Sequence, residues 1–153
     1  MSFPQAPEAP ADPPAYLTAP GQPVPTGALS YGLGFLGFLP FPWLGLIVTG
    51  IVMAAVYPSQ RRKGPLAAEN ARRAANWGLT IITVLVVLFL YVLIVAVAAG
   101  GRPVSPAVFT PLALYLVLGI AHLIIIIRGL IIANRGQLYV NQIAIPFLRA
   151  PAA

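Results

Sequence analysis

The sequence predicts an all-α membrane protein, a small helical bundle of three transmembrane segments with the first broken at Pro40 and Pro42. Three observations carry this prediction. Of 153 residues, 59% are apolar and 8% charged, whereas soluble domains carry roughly 25% charged residues. The stretches Tyr31 to Tyr57, Trp77 to Ala99 and Ala107 to Ala133 each exceed the ~20 residues that cross a ~30 Å hydrocarbon core. They are apolar around the whole helix circumference, unlike the one-sided helices of soluble proteins.

Residues 1–29 are rich in Pro and Ala without helical or strand periodicity, and are expected to form a disordered, partly polyproline-II tail. No basic start precedes an apolar core there, so a cleavable signal peptide is not expected. The polytopic membrane domain is assigned to 30–149, with 150–153 a disordered end.

The first apolar stretch holds Gly32, Gly34 and Gly37 before Pro40-Phe41-Pro42, and glycine and proline both disfavour a straight helix. It is either one span kinked at the prolines or a hairpin whose short first arm turns there, which makes four helices. The two arrangements put the tail on opposite sides of the membrane. Gly45 and Thr49, like Gly50 and Ala54, offer small faces for close helix approach.

The loop assigned to 58–76 carries Arg61, Arg62, Lys63, Arg72 and Arg73 against Glu69. That cluster is expected in the cytoplasm, together with the carboxyl terminus, which contains Arg135 and Arg149. Within the loop, Pro65 to Asn76 reads as an interfacial helix: Pro65 suits a first turn, and Glu69 stands four residues before Arg73. Ala67, Ala71 and Ala74 share one face. Arg61, Arg62, Lys63, Arg72 and Arg73 are candidate contacts for anionic lipid headgroups or an acidic partner.

In the second span, Asn76, Thr80, Thr83 and Tyr91 build a partly polar stripe. In the third, Tyr115, Gly119, His122 and Gly129 form a small and polar seam. Antiparallel packing puts His122 near the depth of Thr83, and the two are expected to touch. An intramembrane histidine invites a functional reading, but neutral imidazole is satisfied by one donor and one acceptor, which favours packing. Arg128 is expected to snorkel to the headgroups.

Paired carboxylates, a nucleophile with its base, a phosphate loop and metal-ligand spacings are all missing from a sequence with three acids, one histidine and no cysteine. No enzyme activity, cofactor or metal is expected, and no nucleic acid partner. The expected setting is multi-pass in the cell (plasma or inner) membrane, with lipid, other membrane proteins or further copies as partners. Two roles follow: an interaction, assembly or accessory subunit of a membrane complex, or an oligomeric channel or protein-translocation component.

Glu69 to Thr80, with its Ala, Asn and aromatic residues, and Ala133 to Tyr139, closing on Gly136-x-x-Tyr139, resemble segments of a bacterial Tic-twenty-like membrane family, related to a chloroplast inner-envelope translocon component. The resemblance covers about Ser30 to Arg149 and departs from the pattern at Asn70, Gly78, Asn141 and Gln142. It implies four helices with both termini on one side, and hence the hairpin.

Overall fold

The computed structural model describes residues 24–40, 43–100, 106 and 109–149. Most of the expected Pro-rich tail, Pro42, Arg102 and the last four residues lie outside the described residues. Among those described, four helices and no strands form. These are α1 (Ala28–Gly32), prolonged by a 3₁₀ segment (Leu33–Phe38), then α2 (Leu44–Arg61), α3 (Pro65–Ala99) and α4 (Phe109–Asn134).

The first apolar stretch is a hairpin. Gly37 lies against Gly45, where an added Cβ would stand 2.8 Å from the Gly37 carbonyl oxygen. The Thr49 hydroxyl donates to the Gly34 carbonyl at 3.3 Å. Pairing 37 with 45 and 34 with 49 means that the arms run antiparallel, which a kinked rod could not do. The glycines that weaken a helix here are what allow the two backbones to approach.

The basic region is helical over nearly its whole length. Residues 58–61 finish α2, and Pro65 opens α3 as the proline rule anticipates. Between them is a short turn at Arg62 to Gly64, with Gly64 at φ +135. Helix α3 then continues unbroken for 35 residues, about 52 Å at 1.5 Å per residue. The expected interfacial helix is therefore the first third of α3, because its alanines and its Glu69 pairs favour helix without interruption.

Helices α2 and α3 meet at Gly50 and Gly78, so closely that a Cβ on Gly78 would stand 2.8 Å from the Gly50 carbonyl. The core gathers Tyr31, Leu46, Met53, Trp77, Ile81 and Ile126, together with Ala67, Ala71 and Ala74 of α3. Only 17% of the most apolar stretch of α3 and 33% of that of α4 is buried within the protein. Such exposed apolar stretches match lipid surroundings and do not match the core of a soluble domain.

Candidate functional site

His122 is fully buried on α4. Its Nδ1 accepts the indole N–H of Trp77 at 3.0 Å, and its Nε2 stands 2.8 Å from the Gly34 carbonyl. An indole nitrogen only donates and a carbonyl only accepts, so the ring must be neutral with its proton on Nε2. The bond joins three elements: α3, α4 and the 3₁₀ arm of the hairpin. Gly34 also takes the Thr49 hydroxyl, so both lone pairs of its carbonyl are used by side chains. The Phe38 ring stacks on the imidazole at 5.8 Å.

A second cluster lies at the Pro65 end of α3, where the chain after α4 returns. Asn70, fully buried, donates from Nδ2 to the carbonyls of Thr26 (2.8 Å) and Gln137 (3.1 Å), and its Oδ1 accepts the Tyr139 N–H at 3.0 Å. It therefore ties the segment entering the bundle to the segment leaving it. Thr80 accepts the Ile145 N–H at 2.9 Å while donating to its own Asn76 carbonyl. Asn76 accepts the Leu148 N–H at 2.7 Å and donates to the Leu148 carbonyl at 3.1 Å. Residues 137–148 thus run inward along α3 to Thr80 and back out to Asn76. Their backbone has no ladder of its own, and side chains of α3 supply partners at Gln137, Tyr139, Ile145 and Leu148.

Around this cluster, Glu69 accepts from Arg72 (Nε 2.8 Å, Nη2 2.6 Å) and from the Arg73 Nε at 2.9 Å. Arg72 also reaches the Leu148 carbonyl at 2.7 Å. The Arg72 hydrogen bond, more than any other contact, holds the Glu69 carboxyl below the usual carboxylate range, with Arg73 adding to it and partial burial opposing it. Arg61, Arg62 and Lys63 are exposed at the turn.

The polar stripe on α3 is divided. Asn76 and Thr80 face the returning segment, whereas Thr83 and Tyr91 are exposed. Thr83 does not touch His122, contrary to expectation: its hydroxyl bonds to the Leu79 carbonyl of its own helix, and Trp77 occupies the place opposite the imidazole. Six residues separate the two, about 240° around the helix, so both cannot face α4. The α4 seam divides too. Tyr115 stacks on Trp43 at 4.4 Å and accepts its backbone N–H at 3.0 Å. Gly129 carries the Tyr31 ring directly on its backbone, while a Cβ at Gly119 would meet nothing within 4 Å.

Sequence reasoning missed Trp77 and Asn141 as polar partners, and Asn70 as a junction. A signal for Asn70 existed: it shares the Ala67, Ala71 and Ala74 face, where only a satisfied polar group would be buried. Among the described residues, no three His, Cys, Asp or Glu side chains converge as metal ligands would. Both ring nitrogens of His122 are occupied by the contacts above, and the Glu69 carboxylate is held by the two arginines. A groove of about 620 Å³ beside α3, lined by Trp43, Ile47, Ile82, Leu85, Val86 and Phe89 among others, is apolar and offers no reacting group.

Comparison with known proteins gives one family. Residues 26–148 match the model of the magnetosome magnetite crystal formation protein family, MamF_MmsF. This overturns the resemblance to the Tic-twenty-like family. No curated protein and no solved structure matches the chain significantly.

Proposed function

The chain belongs to the magnetosome magnetite crystal formation family, matched over residues 26–148, and from that membership we propose that it is a non-enzymatic integral membrane subunit acting in crystal formation through assembly. Its partners in this reading are other membrane proteins or further copies of itself. The observation that carries the reading is the use made of its polar groups. Asn70, Asn76, Thr80 and His122 are all engaged in holding the fold together, and most of what faces outward from the apolar parts of α3 and α4 is apolar, including Phe89, Ile94, Val97 and Ile120.

Three acids, one histidine and no cysteine in 153 residues offer few of the carboxylate and imidazole ligands that iron sites use. An influence on a mineral then runs through the proteins this subunit organises. The cluster at Arg61, Arg62, Lys63, Arg72 and Arg73 supports a cytoplasmic position for that end of the bundle. Thr26 and Gln137 share Asn70 at the same end, so both tails go with it. A channel or translocation component is less well supported, since Asn76, Thr80 and His122 are unavailable to line a lumen and Thr83 and Tyr91 remain as the polar candidates.

The test is reintroduction of a tagged chain into a magnetite-forming cell that lacks it, followed by mild-detergent purification, native mass determination and electron microscopy of the crystals. Restored crystals together with a stoichiometric partner or a defined homo-oligomer are expected. A monomer without partners that nevertheless restores the crystals would refute the assembly role. Solute flux through proteoliposomes of the pure chain would reverse the ranking of the two readings.

A further inference from the structure

We propose that the cavity between α3 and the returning carboxyl-terminal segment is a binding site for a phosphate group. The cavity measures about 160 Å³ and is lined by Arg72, Arg73, Asn76, Asn141, Ala144 and Pro146. Most polar groups of its wall are already paired. Arg72 is bonded to Glu69 through Nε and Nη2 and to Leu148 through Nη1, and both ends of the Asn76 amide hold Leu148.

Two sets of donors remain. Arg73 gives its Nε to Glu69, and its two terminal nitrogens have no protein partner among the described residues. The amide of Asn141 is oriented by the Ile143 N–H, which can only donate and so must face Oδ1, at 3.1 Å. That leaves the Asn141 Nδ2, which is bonded to nothing and covered from solvent, so the side chain must turn for it to reach an anion in the cavity. A buried amide N–H without an acceptor is costly and uncommon in folded proteins.

The ligand's chemistry follows from what the wall offers. The Glu69 oxygens are taken by the two arginines and the Leu148 carbonyl by Arg72 and Asn76, so the open groups are donors. Two guanidinium groups against one carboxylate leave a positive excess. A compact anion with several acceptor oxygens, which receives an arginine fork and an amide N–H from different directions, is a phosphate. The site stands one turn before Trp77, where the apolar part of α3 begins, at the level expected for lipid headgroups. A phosphate ester of an anionic lipid and free phosphate present the same chemistry here.

This inference is independent of the assembly role, and it is tested on the full chain in maltoside micelles without phosphate buffer. Thermal unfolding and native mass are recorded with phosphatidylglycerol, with inorganic phosphate, and with a phosphate-free galactolipid. Stabilisation by phosphatidylglycerol or by inorganic phosphate, but not by the galactolipid, is expected. Phosphatidylglycerol alone identifies a headgroup site, and a response to both identifies a site open to free phosphate. Asn141→Ala and Arg73→Gln should each weaken binding at least about tenfold, as loss of a hydrogen bond to a charged group does. Arg73→Lys should fall between. Should Arg73→Gln fail to fold through loss of its Glu69 bond, Asn141→Ala, which leaves that pair intact, decides. No response to either phosphate source, or equal responses from wild type and Asn141→Ala, overturns the proposal.

Discussion

Replacing His122 with Phe keeps an aromatic ring of similar size in the bundle and removes two hydrogen bonds. The Gly34 carbonyl keeps the Thr49 hydroxyl, so its loss is small. The indole N–H of Trp77, which is 2% exposed, is left with no acceptor, and an unpaired buried donor costs about 1–3 kcal/mol. Within membranes, hydrogen bonds between helices are worth about 0.6 kcal/mol on average and about 1.7 at most, because the unfolded chain also finds partners in the bilayer. A destabilisation of about 1–2 kcal/mol is therefore expected for His122→Phe. His122→Gln, which carries both an acceptor and a donor, should lose less. Trp77→Phe in the His122→Phe background removes the orphaned donor and should restore part of the loss, giving a coupling of about 1 kcal/mol. The assay is reversible denaturation in mixed micelles of the four chains, wild type, both single variants and the double. Strictly additive effects, or a His122→Phe chain as stable as wild type, would refute the reading of this contact as an energetic junction of α3, α4 and the hairpin.

Three further outcomes follow from the same geometry. Asn70→Ala removes three hydrogen bonds to the two irregular segments and should cost about 2–4 kcal/mol; limited proteolysis should then cut first within 137–148, and unchanged cutting would argue against the junction. Gly78→Val should push α2 from α3, because the added Cβ meets the rigid Gly50 backbone at 2.8 Å, at a cost of about 1–3 kcal/mol. Gly119→Ala, in open space, should be neutral, and thermal unfolding distinguishes the two. Since the Glu69 carboxyl titrates below its unfolded value, chiefly through the Arg72 hydrogen bond, its contribution is present above the usual carboxylate range and is lost as pH falls through the depressed value. Stability should therefore decline on acidification in wild type but less so in Glu69→Gln, and parallel acid profiles would contradict this.

The two long apolar helices and the all-helical class were legible in the sequence because hydropathy over twenty residues is a local property. The hairpin was legible only as one of two alternatives. Gly34 and Gly37 weaken a helix in either arrangement, and what selects the hairpin is the approach of Gly37 to Gly45 and of Gly34 to His122, which no local pattern encodes. His122 was identified as buried and satisfied, but Thr83 was assigned as its neighbour because depth was considered without rotation about the helix. The returning segment was the least legible part. Residues 137–148 have no periodicity, and their placement depends on contacts such as Tyr139 with Asn70, 69 residues away in sequence. The family resemblance was misjudged from segments that many small polytopic proteins could share. Three of the four positions at which it departed, Asn70, Gly78 and Asn141, fall at the junction of the termini, at the contact of α2 with α3 and on the wall of the polar cavity.

The polar side chains follow one physical logic. Beside lipid, a backbone group outside a regular helix has no water to bond with and must find a partner within the protein. Here irregular or 3₁₀ carbonyls and amides of Thr26, Gly34, Gln137, Tyr139, Ile145 and Leu148 are each met by a side chain from a long helix: Asn70, His122, Thr80 or Asn76. Residues that resemble a relay or a pore lining when placed on a helical wheel are thereby committed to the architecture. Subtracting them separates structure from recognition. The donors left over in the polar cavity, on Arg73 and Asn141, are not required by any backbone group, and it is at Asn141, which has no part in the Glu69 pairs, that a substitution should change binding while leaving the helices in place.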